Sequence, residues 1–455
     1  MTAPRAPGVR EKQRRPESLL ALGFLAVILL GTALLTLPAA AQNGQSVGIF
    51  DSLFTATSAV CVTGLVAVDT GTTFSFFGQA VLLVLIQVGG LGFMVFATMI
   101  FLALRRKLSL KGRMLVRESM NGMSLSGLSG LAWRYLLLAL GIESAGTLLL
   151  SLRFVPLLGW KRGLWMALFH AVSAFCNAGF DLFGRFSSLT AFSGDALVLL
   201  TVAGLIVLGG LGFSVILETL RNRQGFRALS LHARIVLLLT PTLLLAGTGF
   251  FLLAERNNAA TLAGYDAPGR LLNAFFQSVT LRTAGFNTID QAALRDGSKL
   301  FSSMLMAVGA SPASTGGGIK TTTVAVLFFL MRSVVRGESE VNIARRRLPV
   351  DTARRALVVA VMFLSVLIAG TLTIALIEDG RFTLADILFE AASAMGTVGV
   401  SAIGTPNLHV ASRAVLVPMM FLGRVGPLTL AVALYRRQNS LHAASKYPEE
   451  RIMIG

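Results

Sequence analysis

The stretch LFTATSAVCVTGL (residues 53–65) returns in altered form three more times along the chain: LFHAVSAFCNAGF (168–180), AFFQSVTLRTAGF (274–286) and LFEAASAMGTVGV (388–400). We call these stretches motifs 1 to 4. They align without gaps when each is anchored on its glycine, namely Gly64, Gly179, Gly285 and Gly399. A serine stands six residues before three of the anchors, and Val279 replaces it in motif 3. A fourfold match of this kind indicates an internally repeated structure.

The sequence around the motifs is too apolar for a soluble protein. Of the 455 residues, 54% are hydrophobic and only 14% are charged, and the mean hydropathy is +0.73. A helix needs about 20 apolar residues to cross a hydrocarbon core of roughly 30 Å. Eight runs are long enough, at residues 18–37, 78–103, 131–158, 196–217, 235–254, 300–331, 356–377 and 412–434. We therefore expect an all-α membrane protein with eight transmembrane helices.

Each motif lies between two of these runs. The repeated unit is therefore a span, a short pore helix with its glycine loop, and a second span. Four such units around a central pore make up the expected architecture. The expected segments are a basic cytoplasmic arm (1–17), four pore repeats (18–104, 131–217, 233–331 and 352–435) and a cytoplasmic C-terminal tail (436–455).

The positive charges indicate how the chain lies in a membrane. Of its 40 lysines and arginines, 26 fall in the first 17 residues, in residues 105–117, 221–234 and 332–355, and after residue 434. These segments lie on one side of the predicted spans, which by the positive-inside rule is the cytoplasm. We therefore expect a multi-pass plasma-membrane protein with both termini in the cytoplasm. The net charge of +18 follows this topology and does not indicate nucleic-acid binding.

The motifs carry the chemistry of a cation filter. A helix of about ten residues is too short to cross the bilayer, and a loop at membrane depth is tolerated only where it lines water or protein. Glycine lets such loops turn carbonyl oxygens inward, and rings of carbonyls can replace the hydration shell of potassium. The predicted potassium-binding filter residues are Val62, Thr63, Gly64, Asn177, Ala178, Gly179, Thr283, Ala284, Gly285, Thr397, Val398 and Gly399. The alternative is that the glycines only allow close helix packing.

A second stretch, GASPASTGGGIKTTT (residues 309–323), interrupts the run 300–331. As one helix this run would measure about 48 Å, more than the bilayer needs, and its proline and glycines predict two half-helices joined by a polar loop. We interpret the loop as a gate formed by Ala313, Ser314, Thr315, Gly316, Gly317 and Gly318, with Lys320 and Arg424 as a cationic barrier. The alternative for Lys320 is a side chain that snorkels to the membrane interface.

Three other charged residues and two glycine-rich spans have simpler interpretations. Glu390 is expected to orient its loop by accepting backbone hydrogen bonds, Glu143 to pair with a nearby polar group, and Arg282 to donate to the loops near the outer mouth. The glycines of QVGGLGFM (87–94) and VLGGLGFS (207–214) allow close packing or a bend, and packing is expected to suffice for these two spans. The two cysteines and four histidines lack metal-ligand spacing.

Together, the segments TATSAVCVTGL, SAFCNAGF, RTAGFN, SAMGTVGVS and ASTGGGIKTTT resemble the Ktr/Trk/HKT superfamily of potassium transporters, most closely its KtrB-type membrane subunits. The resemblance covers nearly the whole chain after the basic arm. It implies a potassium filter at the four glycines, a gating loop at residues 309–323, an arginine barrier at Arg424 and activation by sodium. It also implies a homodimer that docks a cytoplasmic KtrA-like nucleotide-binding ring, which would carry the ATP or ADP; no organic cofactor is expected on this chain.

We therefore predict potassium uptake through a selective, gated, channel-like pore without catalysis. The resemblance associates a serine at the first filter glycine with sodium transport, so Gly64 favours potassium. One alternative is an ion-coupled secondary transporter of a small solute, which predicts a twofold rather than a fourfold repeat. The other is an intramembrane enzyme, but no serine–histidine, paired-aspartate or zinc-ligand set stands at reactive spacing inside the predicted spans.

Overall fold

The computed structural model describes residues 16–92, 128–338, 340–344 and 346–426. Within these ranges the chain is mostly helical, with one small antiparallel ribbon in which Asn342–Ile343 pairs with Arg346–Arg347. The mostly helical chain agrees with the predicted all-α class, and the small ribbon in this basic connection is a local exception. The ribbon forms where Ile343 is buried while the residues on either side of it are exposed, and this alternation favours a strand over a helix.

Each motif begins in a short helix that is flanked in sequence by two others. We call the three helices of each set the leading, motif and following helix. Set 1 is Pro16–Thr36, Ile49–Val60 and Phe76–Leu91; set 2 is Leu128–Leu158, Trp160–Phe175 and Ala196–Leu211; set 3 is Leu231–Ala254, Ala267–Thr280 and Asp296–Ala307; set 4 is Val350–Glu378, Leu384–Gly396 and Val410–Val425. The helices Phe213–Arg221 and Thr321–Val335 come after following helices 2 and 3, and single turns lie at Pro38–Ala40, Thr70–Thr73, Thr190–Phe192, Phe226–Ala228 and Thr405–Asn407.

The motif helices are too short to cross a membrane. They contain 12, 16, 14 and 13 residues, which at 1.5 Å per residue is at most about 24 Å. Side chains cap two of them, because Asp266 accepts from the Gly269 N–H and Thr383 accepts from the Asp386 N–H. The last residues of all four motif helices are buried. Each motif helix therefore points its C-terminal end into the protein.

Three helices are long and apolar enough to cross a membrane, over Ala132–Leu158, Leu231–Ala254 and Val350–Glu378. A fourth span results if Ala196–Leu211 and Phe213–Arg221, which meet at 94°, count as one broken helix. These numbers hold for the described part of the chain. The predicted spans that begin at residues 78 and 412 continue into residues outside it, so the expected total of eight stays a prediction.

Three of the following helices end at a glycine whose φ is positive. These glycines are Gly92 (84°), Gly212 (93°) and Gly426 (91°), and residues with a Cβ atom avoid this conformation. The interpretation of the glycine-rich spans as packing sites alone is therefore wrong, because their last glycine ends the helix. Packing does apply to Gly89 and Gly209, where an added Cβ atom would overlap the last carbonyl oxygen of motif helices 1 and 2.

The apolar run 300–331 is divided between two helices, which end at Ala307 and begin at Thr321. We call the segment between them, residues 308–320, the glycine loop. The predicted gating segment extended three residues further, but those residues form the first turn of the second helix. At the N-terminus the first helix begins at Pro16, so the predicted arm of 17 residues overlaps it. Residues 1–15 and the predicted tail 436–455 lie outside the described ranges.

Candidate functional site

Motif helices 1, 2 and 4 end in the same hydrogen-bonded turn. In motif 1 the Thr63 N–H donates to the Ser58 carbonyl at 2.8 Å and the Val62 N–H donates to the Ala59 carbonyl at 3.1 Å, which is the Schellman pattern of a helix C-terminus. The corresponding bonds recur in motifs 2 and 4. Each turn needs a left-handed residue, and the residues are Val62, Asn177 and Thr397, with φ of 56°, 59° and 51°.

These left-handed residues are unusual because glycine normally fills such positions. Val62 and Thr397 are β-branched, and a positive φ is strained for side chains of that shape. Thr283 of motif 3 is a further β-branched residue with a φ of 64°. Two residues later comes the anchor glycine, whose φ is again positive in all four motifs. The sequence motif predicted the glycines but not the strain that precedes them.

A side-chain hydroxyl fixes the glycine in two of the motifs. The Gly64 N–H donates to Ser58 Oγ at 3.0 Å, and the Gly399 N–H donates to Ser393 Oγ at 3.0 Å. Ser173 of motif 2 instead donates to the carbonyl of Phe180, at 2.7 Å. The serine that recurs six residues before the glycine therefore holds the loop in one of two ways. It accepts from the glycine N–H, or it donates to the carbonyl of the residue after the glycine.

Motif 3 reaches a similar loop by different bonds. Val279 stands at the serine position and has no hydroxyl, and the next residue, Thr280, donates its hydroxyl to the Phe286 carbonyl. The backbone turn is also different, because the Ala284 N–H donates to the Thr280 carbonyl at 3.0 Å. Thr280 thus takes the part that Ser173 has in motif 2. The sequence marks the lost serine, but only the structure shows its replacement.

The loops that carry the four anchor glycines meet in a closed ring. We call them the motif loops, to distinguish them from the glycine loop at residues 308–320. A Cβ atom added to an anchor glycine would meet the carbonyl oxygen of the residue before the next anchor. The distances are 2.5 Å from Gly64 to Ala178, 2.8 Å from Gly179 to Ala284 and 2.9 Å from Gly285 to Val398. A Cβ atom on Gly399 would overlap the carbonyl oxygen of Thr63. Each loop therefore touches the next one, and the fourth touches the first. Real Cβ atoms essentially never come closer than 3.0 Å to another heavy atom, so the ring requires glycine at all four positions.

One side of the ring opens into a cavity of about 400 Å³. The four anchor glycines line it together with three carboxylates, Asp69, Asp181 and Asp290. Asp69 is held in place by the Thr72 N–H at 2.8 Å and the Phe186 N–H at 2.7 Å. Carboxylates at a concave entrance raise the local concentration of cations. Sequence reasoning missed these residues, although each aspartate follows a motif glycine within five positions.

Polar side chains behind the ring hold the segments that leave it. Glu390 accepts from the hydroxyls of Ser401 and Thr405, each at 2.6 Å. The prediction that Glu390 accepts backbone hydrogen bonds is therefore wrong, because hydroxyls occupy both of its oxygens. His170, at the same position of motif 2, accepts from the Leu182 N–H at 3.3 Å. Both side chains restrain the chain just after its glycine.

The glycine loop lies against the opposite side of the ring from the cavity. Thr315 Oγ1 donates to Asn177 Oδ1 at 3.0 Å, and the Gly317 N–H donates to Thr397 Oγ1 at 3.1 Å. A Cβ atom on Gly316 would overlap the hydroxyl of Thr283. The loop therefore contacts the left-handed residues of three motifs, and the structure brings the predicted gate residues directly under the predicted filter.

Hydrogen bonds within the loop and to following helix 2 give the loop its shape. The Gly309 N–H donates to the Ile319 carbonyl at 2.9 Å, which brings the two ends of the loop together. The Ser311 N–H then donates to the Gly210 carbonyl at 3.0 Å, and the Thr315 N–H donates to that of Gly209 at 3.2 Å. The loop thus rests on the helix end that bends by 94° at Gly212.

Arg424 connects the glycine loop to following helix 1. It donates to the carbonyl of Thr315 in the loop and to the carbonyls of Gly89 and Gly90 on the helix. In the pattern that ends following helices 1, 2 and 4, Arg424 stands where Gly90 and Gly210 stand. Among the described residues Arg424 forms no salt bridge. A cation held by carbonyl dipoles leaves no unpaired carboxylate behind when it moves away, unlike a cation in a buried ion pair.

Comparison with known proteins identifies the family. The sequence model of TrkH, described as a cation transport protein, matches residues 14–442. The chain belongs to the TrkH family. It is 40% identical over 442 residues to Ktr system potassium uptake protein B of Bacillus subtilis, covering 97% of each chain, and 38% identical over 446 residues to potassium/sodium uptake protein NtpJ of Enterococcus hirae, covering 98% of each.

A solved structure of a TrkH protein supports the fold. The structure of the potassium transporter TrkH from Vibrio parahaemolyticus superposes with a TM-score of 0.70, covering 94% of this chain and 86% of the other. At 17% sequence identity the likeness concerns the fold alone. The family consists of cation transport proteins, which agrees with the prediction that the chain is not an enzyme.

Three further charged residues of this TrkH-family chain were singled out from the sequence, and the structure gives each of them a partner. Lys320 donates to the Gly316 carbonyl at 2.6 Å, so its ammonium group is held by the loop itself and does not snorkel. Arg282 donates to the Gly309 carbonyl at 3.1 Å, on the loop side of the ring, so its predicted place near the outer mouth is wrong. Glu143 accepts from Gln87 Nε2 at 3.0 and 3.2 Å, which is the polar pairing expected for it.

Proposed function

We propose that the chain is a potassium uptake protein in which the ring of motif loops is the selectivity filter. The observation that carries the proposal is the ring itself, where the carbonyl of the residue before each glycine lies against the neighbouring loop. Carbonyl rings of this kind can replace the water around a potassium ion. Relatives at about 40% identity are named as potassium uptake proteins, and this supports the choice of ion.

The proposed path of the ion has three parts. A cation enters the cavity beside Asp69, Asp181 and Asp290, loses its water in the filter, and leaves past the glycine loop. The inside-negative membrane potential contributes about 2.3 kcal/mol per 100 mV for each entering charge. No chemical step is needed, because the inside-negative membrane potential supplies the driving force.

The proposed gate is the glycine loop with Arg424. The loop lies directly below the filter, and Arg424 holds it there through the Thr315 carbonyl. A guanidinium group in the path of a cation also repels that cation. Displacement of the loop together with Arg424 would remove the steric and the electrostatic obstacle in one movement. Lys320 would move with the loop, because it is bonded to Gly316.

The assembly we propose follows the relatives and the resemblance of the sequence. A relative named as protein B of a Ktr system supports a membrane subunit that works with a cytoplasmic KtrA-like ring carrying ATP or ADP, and with a second copy of itself. The name of NtpJ includes sodium as well as potassium, and this supports an effect of sodium on uptake. The proposed location is the plasma membrane, with four repeats, eight spans and both termini in the cytoplasm.

The alternative of an ion-coupled secondary transporter for a small solute is not favoured. It predicts a solute pocket between two related halves, whereas the four motifs meet at one ring. The cavity beside that ring is lined by three carboxylates, which suit a small cation better than an organic solute.

Uptake into liposomes tests the proposal. The purified chain is reconstituted with an inside-negative potential, and potassium and sodium uptake are measured separately, with and without sodium outside. We expect saturable potassium uptake that exceeds sodium uptake and is absent from protein-free liposomes. Uptake equal to that of protein-free liposomes, from protein that is folded and inserted, would overturn the proposal.

A further inference from the structure

A small enclosed cavity lies behind motif 3, between the ring and leading helix 3. Its volume is about 10 Å³, and among its lining residues Arg282 and Thr240 carry polar side chains, beside Gly210 and Ala310. Its remaining walls are aliphatic. Arg282 is only 7% exposed and Thr240 only 6%. Both side chains are therefore removed from bulk water and from lipid headgroups.

Each of these two side chains has a polar atom without a partner among the described residues. The atoms are Arg282 Nη1 and Thr240 Oγ1. Thr240 differs in this from its neighbours on the same helix, because Thr242 and Thr248 donate to the carbonyls four residues earlier, at 2.8 and 2.7 Å. A buried polar atom without a partner costs about 1–3 kcal/mol. Because the two atoms belong to residues that line one cavity, a single partner placed there would satisfy both.

We propose that one water molecule fills this cavity and bridges Arg282 Nη1 to Thr240 Oγ1, and that Arg282 thereby positions the glycine loop from behind. A cavity of roughly 10–15 Å³ holds one water, and a buried water needs at least two polar partners. Arg282 donates to the water oxygen, and the water or the threonine hydroxyl donates in return. The positive charge of Arg282 repels a metal cation from this cavity, and a larger ion does not fit the volume.

The second nitrogen of Arg282 connects this site to the glycine loop. Arg282 Nη2 donates to the Gly309 carbonyl at 3.1 Å, and the next residue, Ala310, lines the cavity. Arg282 therefore holds the base of the loop, whereas Arg424 holds the carbonyl of Thr315 near its tip. The water anchors the Arg282 guanidinium to leading helix 3, so that the base of the loop is fixed to a spanning helix.

This inference rests on the proposed gating function of the loop and makes a separable prediction. Loss of the bridge should free the base of the glycine loop without altering the filter, because the filter loops are held by hydrogen bonds inside their own motifs. Potassium uptake should then rise while the ratio of potassium to sodium uptake stays constant. A purely structural role of Arg282 in motif 3 would instead change that ratio.

The experiment compares Arg282→Met, Thr240→Val, the double variant and the matched control Thr242→Val. Thr242 lies on the same helix, is exposed and bonds only within it. We expect Arg282→Met to raise the initial rate of potassium uptake roughly threefold to tenfold, the size expected when the loop loses one hydrogen bond of ordinary net strength. Thr240→Val should raise the uptake rate about twofold. In the double variant it should add nothing to the effect of Arg282→Met, because both act through one water. The control Thr242→Val should leave the uptake rate unchanged.

Hydrogen–deuterium exchange gives the readout that does not depend on transport. Faster exchange of residues 308–320 in Arg282→Met and Thr240→Val, with the four motif loops unchanged, supports the inference even if the wild-type protein shows no uptake and the proposed function fails. If exchange and uptake in both variants equal those of the wild type, the inference is overturned. Full additivity of the two substitutions overturns it as well. If Arg282→Met does not fold, Thr240→Val alone decides the question, because it keeps the shape of the side chain.

Discussion

The filter loops and the glycine loop touch each other, but their hydrogen bonds come from different parts of the chain. The bonds that shape motif 1 join residues five or six positions apart, as between Thr63 or Gly64 and Ser58. The bonds that hold the glycine loop against the rest of the protein join residues 27 to 138 positions apart, as from Arg282 to Gly309 and from Thr315 to Asn177. Each filter loop is therefore shaped by its own helix, whereas the glycine loop keeps its place only while distant helices do.

This difference explains how one pore can select and open with separate parts. Releasing the glycine loop breaks bonds between helices and leaves the turns of the motif helices intact. The ring can then keep its shape while the loop moves. The substitutions below test this separation, beginning with the ring itself.

The largest effect is expected for Gly64→Ser. The serine Cβ atom would meet the Ala178 carbonyl oxygen at 2.5 Å and would have to adopt a φ of +94°, a conformation that costs a residue with a side chain roughly 1–2 kcal/mol. The ring must therefore rearrange, and we expect the ratio of potassium to sodium uptake to fall about tenfold or more. Parallel uptake of the two ions into liposomes measures it.

The matched control for Gly64→Ser is Gly249→Ser. Gly249 lies inside leading helix 3 with no heavy atom within 4 Å of an added Cβ atom and no positive φ. Its replacement should leave selectivity unchanged. If Gly64→Ser is as selective as the wild type, the ring is not the filter.

Arg424→Ala tests the glycine loop from the side of its tip. The substitution removes the bonds to Thr315, Gly89 and Gly90, and it removes a positive charge from the path. We expect potassium uptake to rise about fivefold with the ion ratio kept, since a net hydrogen-bond contribution of about 1 kcal/mol corresponds to a change of that size. Reduced uptake by a variant of normal thermal stability would show that Arg424 supports conduction and does not obstruct it.

Ser393→Ala tests whether the ring depends on bonds inside a motif. It leaves the buried Gly399 N–H without its partner, which costs about 1–3 kcal/mol of stability. Thermal unfolding in detergent should report this loss of stability. The ratio of potassium to sodium uptake should fall while the glycine loop stays in place. Ser412→Ala is the control, because the Ser412 hydroxyl is equally buried but has no hydrogen-bond partner among the residues that the structure describes. Equal unfolding temperatures for the two variants would contradict the prediction.

The smallest effect concerns the helix that leads into the glycine loop. Glu255, just outside the span Leu231–Ala254, accepts from Ser298, Asn258, Thr261 and the Arg295 N–H. Burial alone would raise the pKa of Glu255, but these donors outweigh it, so the pKa lies below its ordinary value of 4.5. Following helix 3 is thus pinned at the end far from the loop. The loop can move while this end stays fixed.

The sign of the pH effect follows from the lowered pKa. The carboxylate stabilises the folded state fully above about pH 4.5 and loses this contribution as the pH falls through the folded pKa. Glu255→Gln should therefore lower stability by about 1 kcal/mol near pH 7, and the difference from the wild type should shrink toward pH 3. Thermal unfolding between pH 3 and 7 measures it. The control is Glu340→Gln, which removes an exposed ion pair with Arg347 and should have little effect.

The sequence predicted the parts of the site that repeat or that interrupt a pattern. The four glycines stood out because one register recurs four times, and the break at Pro312 stood out because a polar stretch divides an apolar run. Both signals are local. The place of Arg282 was predicted wrongly for the same reason, since a register of residues along the chain does not show that its guanidinium turns toward Gly309, 27 positions away.

The features that were missed depend on distant segments or on backbone conformation. The carboxylates Asp69, Asp181 and Asp290 share a cavity only once three motifs have been brought together. The left-handed Val62 breaks the ordinary preference of a β-branched residue, so propensity argues against it. Thr280 replaces a lost serine from the neighbouring position, which an alignment by fixed offsets does not find.

The closed ring of motif loops is made by a single polypeptide. Its four members therefore need not be identical. A pore assembled from equal subunits would receive every substitution once per subunit, all at the same level. Here Val62, Asn177, Thr283 and Thr397 occupy matching places with different side chains, and the glycine loop bonds to one of them through an amide and to another through a hydroxyl. Evolution can therefore alter one quarter of the ion's surroundings at a time, and an asymmetric plug can dock beneath a nearly symmetric ring.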